Sequence, residues 1–482
     1  MTVFTRAAAR DFLAAVGRCA ARRGRGPDPP VAVRVRAGTR TLAATTPGGV
    51  TLTHTAPAAG GRDDLVVLPA ATLAAAAGGT DDPVVLDRAA GPRAVVRWAD
   101  RGAARVAPAD PVPPGPHHPV PDPPPLAAVG VGFLAALAAC AGTAAREAGG
   151  RYALDRVQVR GRAGTVVGTD SKVALLWPGF TLPFPDDVLI PAVPVFGGRE
   201  LARAAAVRVG RTATHLVVAA GPWAVWLPVA PAAAARYPDV AALVPRHHAT
   251  TAGIDPADAA DLLRLLPGLP GAGDADRPVT LDVDGGVTVR GRDAETGLVR
   301  GVTLSRSPAA GRPARVAVDR AVLARALALG CHTVRLTPDR AVVFAGDPWT
   351  LLAAPLAAAL AVGPEAAAGR DANRDAPPDH QARPDARPAD RARPPHPHSD
   401  RRTPVKPPDP HRPGSDPRPD PGHPPDGPDP LAAAEDLRAA LADAAGKAAR
   451  LVAALKAGRK EKRALASVWA GLKQLHLGGR PR

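Results

Sequence analysis

The sequence predicts an α+β fold: three copies of one unit, each with two helices on antiparallel sheet, followed by a disordered linker and C-terminal helices. Three observations predict it. Strand–helix–strand segments recur as "LVVLPAATLAAAAGGTDDPVVLD" from Leu65, "VLIPAVPVFGGRELARAAAVRVG" from Val188 and "ARVAVDRAVLARALALGCHTVRL" from Ala314. A hairpin follows each, beginning at Arg93, His215 and Arg340, at intervals of 122 and 125 residues. A period of that size is one small domain repeated.

Each unit opens on a helix, expected over Arg6–Arg23, Leu126–Glu147 and Asp255–Leu266. Alternating strands separated by glycine-containing turns come next, as hairpins require. Two helices then cover one face of antiparallel sheet. The expected domains are 1–116, 124–245 and 246–362. Proline-rich "PADPVPPGPHHPVPDPPP" (Pro108–Pro125) joins the first two, and "RYPDVAALVPRHH" (Arg236–His248) the last two. Residues 363–430 are rich in Pro, Asp and Arg with almost no large apolar side chain. Such a segment buries too little surface to offset its ordering entropy and is expected to be disordered.

Residues 431–477 regain amphipathic helical character. Asp429 suits an N-cap with Pro430 at the first helical position. Leu437, Leu441, Val452 and Leu455 share one face, and Leu465, Val468, Trp469, Leu472 and Leu475 form a second apolar set. A basic block lies between them, including Lys456, Arg459, Lys460, Lys462 and Arg463. This tail reads as a binding element for DNA or for a partner whose identity the sequence does not give, or as a segment folding back on the rest.

The chain of 482 residues carries 61 Lys+Arg against 45 Asp+Glu, a formal charge of +16, which favours a polyanionic partner such as nucleic acid. Cys19, Cys140 and Cys331 each lie in an apolar run. That is the pattern of buried thiols in a reducing compartment, so the expected location is the cytoplasm. The N-terminal "MTVFTRAAARDFLAAVGRCAARR" lacks the pattern of a secretory signal, and no apolar run predicts a membrane span.

No phosphate-binding loop, nucleophile elbow or His-Glu-x-x-His motif occurs. His117–His118 and His247–His248 have no further ligands at metal spacing. "DVDGG" (Asp282–Gly286) lacks the remaining ligands of a calcium loop and reads as a turn. The expectation is a protein without catalytic site, metal or cofactor. In "GTDSK" (Gly168–Lys172), Asp170 stands without a second acid or base, so the segment reads as a turn closed on its own backbone.

Four segments in order resemble the bacterial DNA polymerase III β subunit, the DNA sliding clamp. "RYALDRVQV" (Arg151–Val159) is similar to the family's "RYYLNGV", and "TVVGTDSKVAL" (Thr165–Leu175) to "VATDGHRLA". "IPAVPVFGGREL" (Ile190–Leu201) is similar to "VPRKGVIEL", and "ARYPDVAALVP" (Ala235–Pro245) to "GRFPDYRRVIP". The resemblance covers residues 1 to about 360. It implies three clamp-type domains and a head-to-tail homodimer closing around duplex DNA without sequence preference. It also implies that the ring tethers the polymerase catalytic subunit and is placed by a clamp loader.

By position, the resemblance puts Arg25 at a DNA-contacting arginine, with Arg18, Arg22 and Arg23 nearby. Arg146 and Arg151 flank a second DNA-contacting position, which is Ala148 here. A pocket for partner peptides would be lined by Leu154, Thr169, Ser171, Lys172, Val173, Ala174, Pro238, Leu243, Leu352, Ala354 and Pro355. Lys172–Val173 stands where the family has His-Arg, and "AAPL" (Ala353–Leu356) where it has "MPMR". Loss of the methionines removes adaptable pocket surface, so a shallower pocket with altered partners, or a lost one, is expected.

Overall fold

The computed structural model describes residues 1–20, 28–58, 63–88, 93–113, 122–147, 151–230, 236–274 and 276–363. The expected linker and helical tail lie outside the described residues, as do Arg22, Arg23, Arg25 and Ala148. The described residues fall within one compact unit, Met1–Gln381.

The first repeat contains β1 (Thr2–Thr5), α1 (Arg6–Cys19), β2 (Val31–Arg36), β3 (Thr39–Thr45), β4 (Thr51–Pro57), β5 (Asp64–Leu68), α2 (Ala70–Ala76), β6 (Pro83–Arg88), β7 (Ala94–Asp100) and β8 (Ala103–Ala109). The second contains β9 (Ala127–Ala128), α3 (Gly132–Thr143), β10 (Arg156–Arg160), β11 (Thr165–Thr169), β12 (Val173–Trp177), β13 (Asp187–Pro191), α4 (Arg199–Ala202), β14 (Val207–Arg211), β15 (His215–Ala220) and β16 (Trp223–Pro228). The third contains β17 (Thr250–Gly253), α5 (Pro256–Leu265), β18 (Pro278–Asp284), β19 (Gly286–Arg292), β20 (Val299–Gly311), β21 (Ala314–Asp319), α6 (Arg320–Ala328), β22 (Thr333–Leu336), β23 (Val342–Ala345) and β24 (Thr350–Ala353).

Local chemistry explains the helices. Thr5 Oγ1 accepts from Ala8 N to cap α1, whose Ala9, Phe12, Ala15, Val16 and Cys19 are buried at helical spacing. Asp255 caps α5 ahead of Pro256, and Asp319 caps α6. The helix expected over Leu126–Glu147 is shorter. Ala127–Ala128 pairs with β14 instead, and Gly130 takes φ +79° before α3 begins. On β11, a Cβ at Gly168 would sit 2.2 Å from the Cys140 carbonyl, so only glycine lets α3 lie this close to the strand.

Each repeat supplies two antiparallel four-stranded sheets: β1-β6-β7-β8 and β5-β2-β3-β4, then β9-β14-β15-β16 and β13-β10-β11-β12, then β17-β22-β23-β24 and β21-β18-β19-β20. Sheets of successive repeats fuse. β4 pairs with β16, and β12 pairs with β24, both antiparallel. β17 also pairs with the far end of β20, through Ala309 to Gly311. One apolar core runs through all three repeats. Cys19, Cys140 and Cys331 are buried free thiols within it. Burial pushes the Cys19 thiol up to about 12 and that of Cys331 to about 11.

Candidate functional site: the junction of the second and third repeats

The β11–β12 turn is built by its own side chains. Asp170 Oδ1 accepts from the backbone of Lys172 (2.9 Å) and Val173 (2.8 Å). Thr169 Oγ1 donates to Val173 O at 2.7 Å and accepts from Ser171 N at 3.2 Å. Ser171 takes φ +81° at the tip. All of the carboxylate's bonds serve the loop, the arrangement of a turn.

This hairpin carries the junction. Val173 lies opposite Ala353, Ala174 opposite Leu352 and Leu175 opposite Leu351, and Ala354 N donates to Lys172 O at 2.8 Å. Lys172 Nζ reaches Asp276 Oδ1 at 3.0 Å. That hydrogen bond and the Asp276 charge hold the ammonium above its ordinary range. The pair is exposed, so it fixes orientation more than it stabilises.

The connector between the repeats covers the strand face at this junction. Val240 is buried with Val167, Ala174, Val343 and Leu352, and Tyr237 and Val244 pack against them. The Tyr237 hydroxyl lies 3.3 Å from the carbonyls of Arg156 and Val167, and burial raises its pKa. Ala153 N donates to Arg236 O at 2.9 Å, which lays the connector beside Leu154.

The structure therefore draws Thr169, Ser171, Lys172, Val173, Ala174, Leu352 and Ala354 together through one hairpin and its neighbouring strand. Thr169, Ala174 and Leu352 are buried on the face beneath the connector, whereas Val173 is buried on the opposite face, in the main core. Leu154 and Pro238 are half-buried, while Ser171, Lys172, Ala354 and Pro355 are exposed. Leu243 stands 59% exposed. Sequence reasoning missed Tyr237, Val240, Val244 and Asp276. The apolar spacing in "YPDVAALV" was the available signal for the first three.

A second cavity of about 450 Å³ adjoins this end of the third repeat, between β21, the β22–β23 turn and Pro355–Ala361. Val362 continues across the same repeat, its N–H donating to Thr280 Oγ1 at 2.8 Å.

The described arginines of the expected DNA face are differently engaged. Arg18 Nη1 lies 2.6 Å from Glu200 Oε2, joining α1 to α4 across the first junction. Burial opposes ionisation of Glu200, but the Arg18 hydrogen bond and the charges of Arg18 and Arg199 outweigh it and keep the carboxyl below its ordinary range. At the second junction Arg325 of α6 donates to Ala139 O, Gly142 O and Thr143 Oγ1 at the end of α3. Arg146 is exposed beside Asp155 and Arg156 in a cleft of about 140 Å³. Arg151 is exposed, its guanidinium 5.3 Å from the Tyr152 ring centre. Exposed positions on α2, α3 and α6 are Ala or Gly, including Ala71, Ala74, Ala135 and Ala321. Charge on the other helices is largely paired: Arg10 and Arg199 lie on Asp11, Arg18 on Glu200, and Arg264 on Asp261.

Among the described residues no three His, Cys, Asp or Glu side chains converge as metal ligands. No helix among them is long and apolar enough to cross a membrane.

Three repeats of paired four-stranded sheets, fused edge to edge with two helices each, define a clamp-type α+β architecture. No protein-family model and no curated protein sequence matches the chain. Solved structures do. A DNA polymerase III subunit β sliding clamp from Pseudomonas aeruginosa, bound to griselimycin, superposes with a TM-score of 0.59 at 15% identity, over 74% of this chain and 99% of that one. The DNA polymerase III β subunit of Thermotoga maritima gives 0.58 at 12% identity, with the same coverage. The β sliding clamp of C. crescentus gives 0.59 at 18% identity, again over 74% and 99%. At this identity the likeness establishes the fold: the chain has the fold of the DNA polymerase III β subunit sliding clamps, in a divergent sequence.

Proposed function

We propose that the chain is a DNA sliding clamp, a non-enzymatic processivity factor whose two copies close head to tail around duplex DNA. The observation that carries this reading is the repeated junction. Twice within the chain, the last strand of one repeat's second sheet pairs with the last strand of the next repeat's first sheet: β4 with β16, then β12 with β24. The same rule leaves β20 at one end and β8 at the other. Neither β8 nor the stretch Val299–Arg306 of β20 has a strand on its outer edge among the described residues. A heterologous contact of this kind closes into a ring when its rotation closes.

In this reading the ring holds DNA by topology and tethers the polymerase catalytic subunit after loading by a clamp loader, in the cytoplasm at the nucleoid. The largely paired charge on the helices fits sliding, which needs weak phosphate attraction without base readout. Arg146 and Arg151 are the described candidates for that attraction; Arg22, Arg23 and Arg25 are assigned to it by position alone and lie outside the described residues. The junction of the second and third repeats takes partner peptides on a shallow surface around Leu154, Pro238, Leu243 and Pro355, because Val240 fills the space above Ala174 and Leu352. A second reading, a clamp-fold scaffold that binds DNA without closing, is favoured by the charge on the two free edges described below.

The test is retention on DNA. Protein placed on nicked circular DNA should survive gel filtration in high salt and be lost when the circle is linearised. Equal retention on both forms would remove the ring and leave the scaffold.

A further inference from the structure

The two internal junctions fix the register that a third would adopt. β16 starts its ladder at Trp223, opposite Ala220 across a two-residue turn, and β8 starts at Ala103, opposite Asp100 across a turn of equal length. Val225 of β16 therefore corresponds to Arg105 of β8. On the other side, Leu52 is the second rung of β4 after its turn, Leu175 the second of β12, and Arg300 the second of β20. Within the chain, Val225 lies opposite Leu52, and Leu351 lies opposite Leu175. All four are 0% exposed. The same register between two copies puts Arg105 directly opposite Arg300.

Both arginines lie on the face of the sheet that supplies the core. Ala109 shares the face of Arg105 and is buried, and Leu304 shares the face of Arg300 and is buried. Both arginines are exposed in the single chain, and neither forms an ion pair with another described residue. Like charges directly opposite on a sheet destabilise the pairing, more so as they lose water.

Resting on the ring reading above, we propose that the seam between copies is a charge gate. The second copy docks on β8 and β20 by strand pairing, while the Arg105–Arg300 contact keeps closure weak and reversible. A single carboxylate at either position converts the seam to tight closure.

Sedimentation equilibrium of the full chain tests this with Arg105→Glu, Arg300→Glu and the double variant. Both positions are exposed, so the fold should be unaffected. Each single variant should dimerise about tenfold more tightly than the wild type at low salt. The double variant, with Glu opposite Glu, should return to weak association. Rising salt should tighten the wild type and loosen the single variants. Unchanged dissociation constants in a dimerising protein would overturn the gate and leave the ring reading standing. Absence of dimer in every variant would overturn the ring itself.

Discussion

The internal junctions and the free edges are made of equivalent strands, yet they carry opposite chemistry. At β4–β16 and β12–β24 the inward rungs are Leu52, Val225, Leu175 and Leu351, all buried. Helix-level clasps reinforce them, Arg18 on Glu200 at the first and Arg325 on the end of α3 at the second. At β8 and β20 the matching inward rungs are Arg105 and Arg300, and the helices alongside are α2, whose exposed positions are alanines, and α5, whose last turn carries Arg264. The difference teaches that strand geometry specifies where a junction forms, while the side chains at one rung set whether it is permanent. Internal seams are built as core; under the proposed ring, the charge on β8 and β20 would make the outer seam a contact that opens.

Breaking an internal seam should have the largest effect. Leu175→Asp places a carboxylate against Leu351 with no partner, and should cost roughly 4–5 kcal/mol of stability, read as a lower urea midpoint. A loss below about 1 kcal/mol would contradict the core-like character of the seam.

A smaller effect should come from acid. His54 sits on the first internal seam opposite Trp223, its ring centre 4.4 Å from the indole. Burial, then the Arg40 charge, lowers its pKa to about 4, against a weaker opposing pull from Asp11. The unfolded chain takes up this proton near pH 6.5 and the folded chain does not, so stability is full above that pH. It falls as pH drops towards 4, by up to ~3 kcal/mol. His54→Asn should flatten this slope in urea titrations at pH 7 and 4.5; an identical slope in both proteins would place the acid sensitivity elsewhere. The outer seam should respond least to pH over this range, since arginine stays charged.

Much of the fold was legible in the sequence because its signals are local. The three hairpins, the caps at Asp255 and Asp319, and the Asp170 turn rest on contacts within a few residues. The start of α3 was misread because apolar Leu126–Val129 continues a helical pattern that Gly130 ends. The fused sheets were not legible, since pairing of β12 with β24 joins residues far apart in sequence and leaves no period. That the β11–β12 hairpin sits at the junction was legible through the resemblance, but which of its residues are exposed was not. Ala174 and Leu352 read as lining, yet they lie under Val240, and only the path of the connector decides that. The same limit hid the Arg18–Glu200 pair, which ties α1 to α4 across the first junction.

The central claim is that β8 and β20 form a third junction in the register of the other two, and a cross-link tests it most directly. That register sets Val106 opposite Val299, on the outward side of the rung next to Arg105 and Arg300. Cysteines at both positions should then meet at disulfide distance between copies. The three native thiols are buried and should not compete. Oxidation of Val106→Cys/Val299→Cys protein loaded on nicked circular DNA should give a covalent dimer that stays on the circle in denaturant and leaves when the circle is cut. Failure to cross-link under conditions where the protein dimerises, or cross-linked protein that is held equally by linear DNA, would contradict the account.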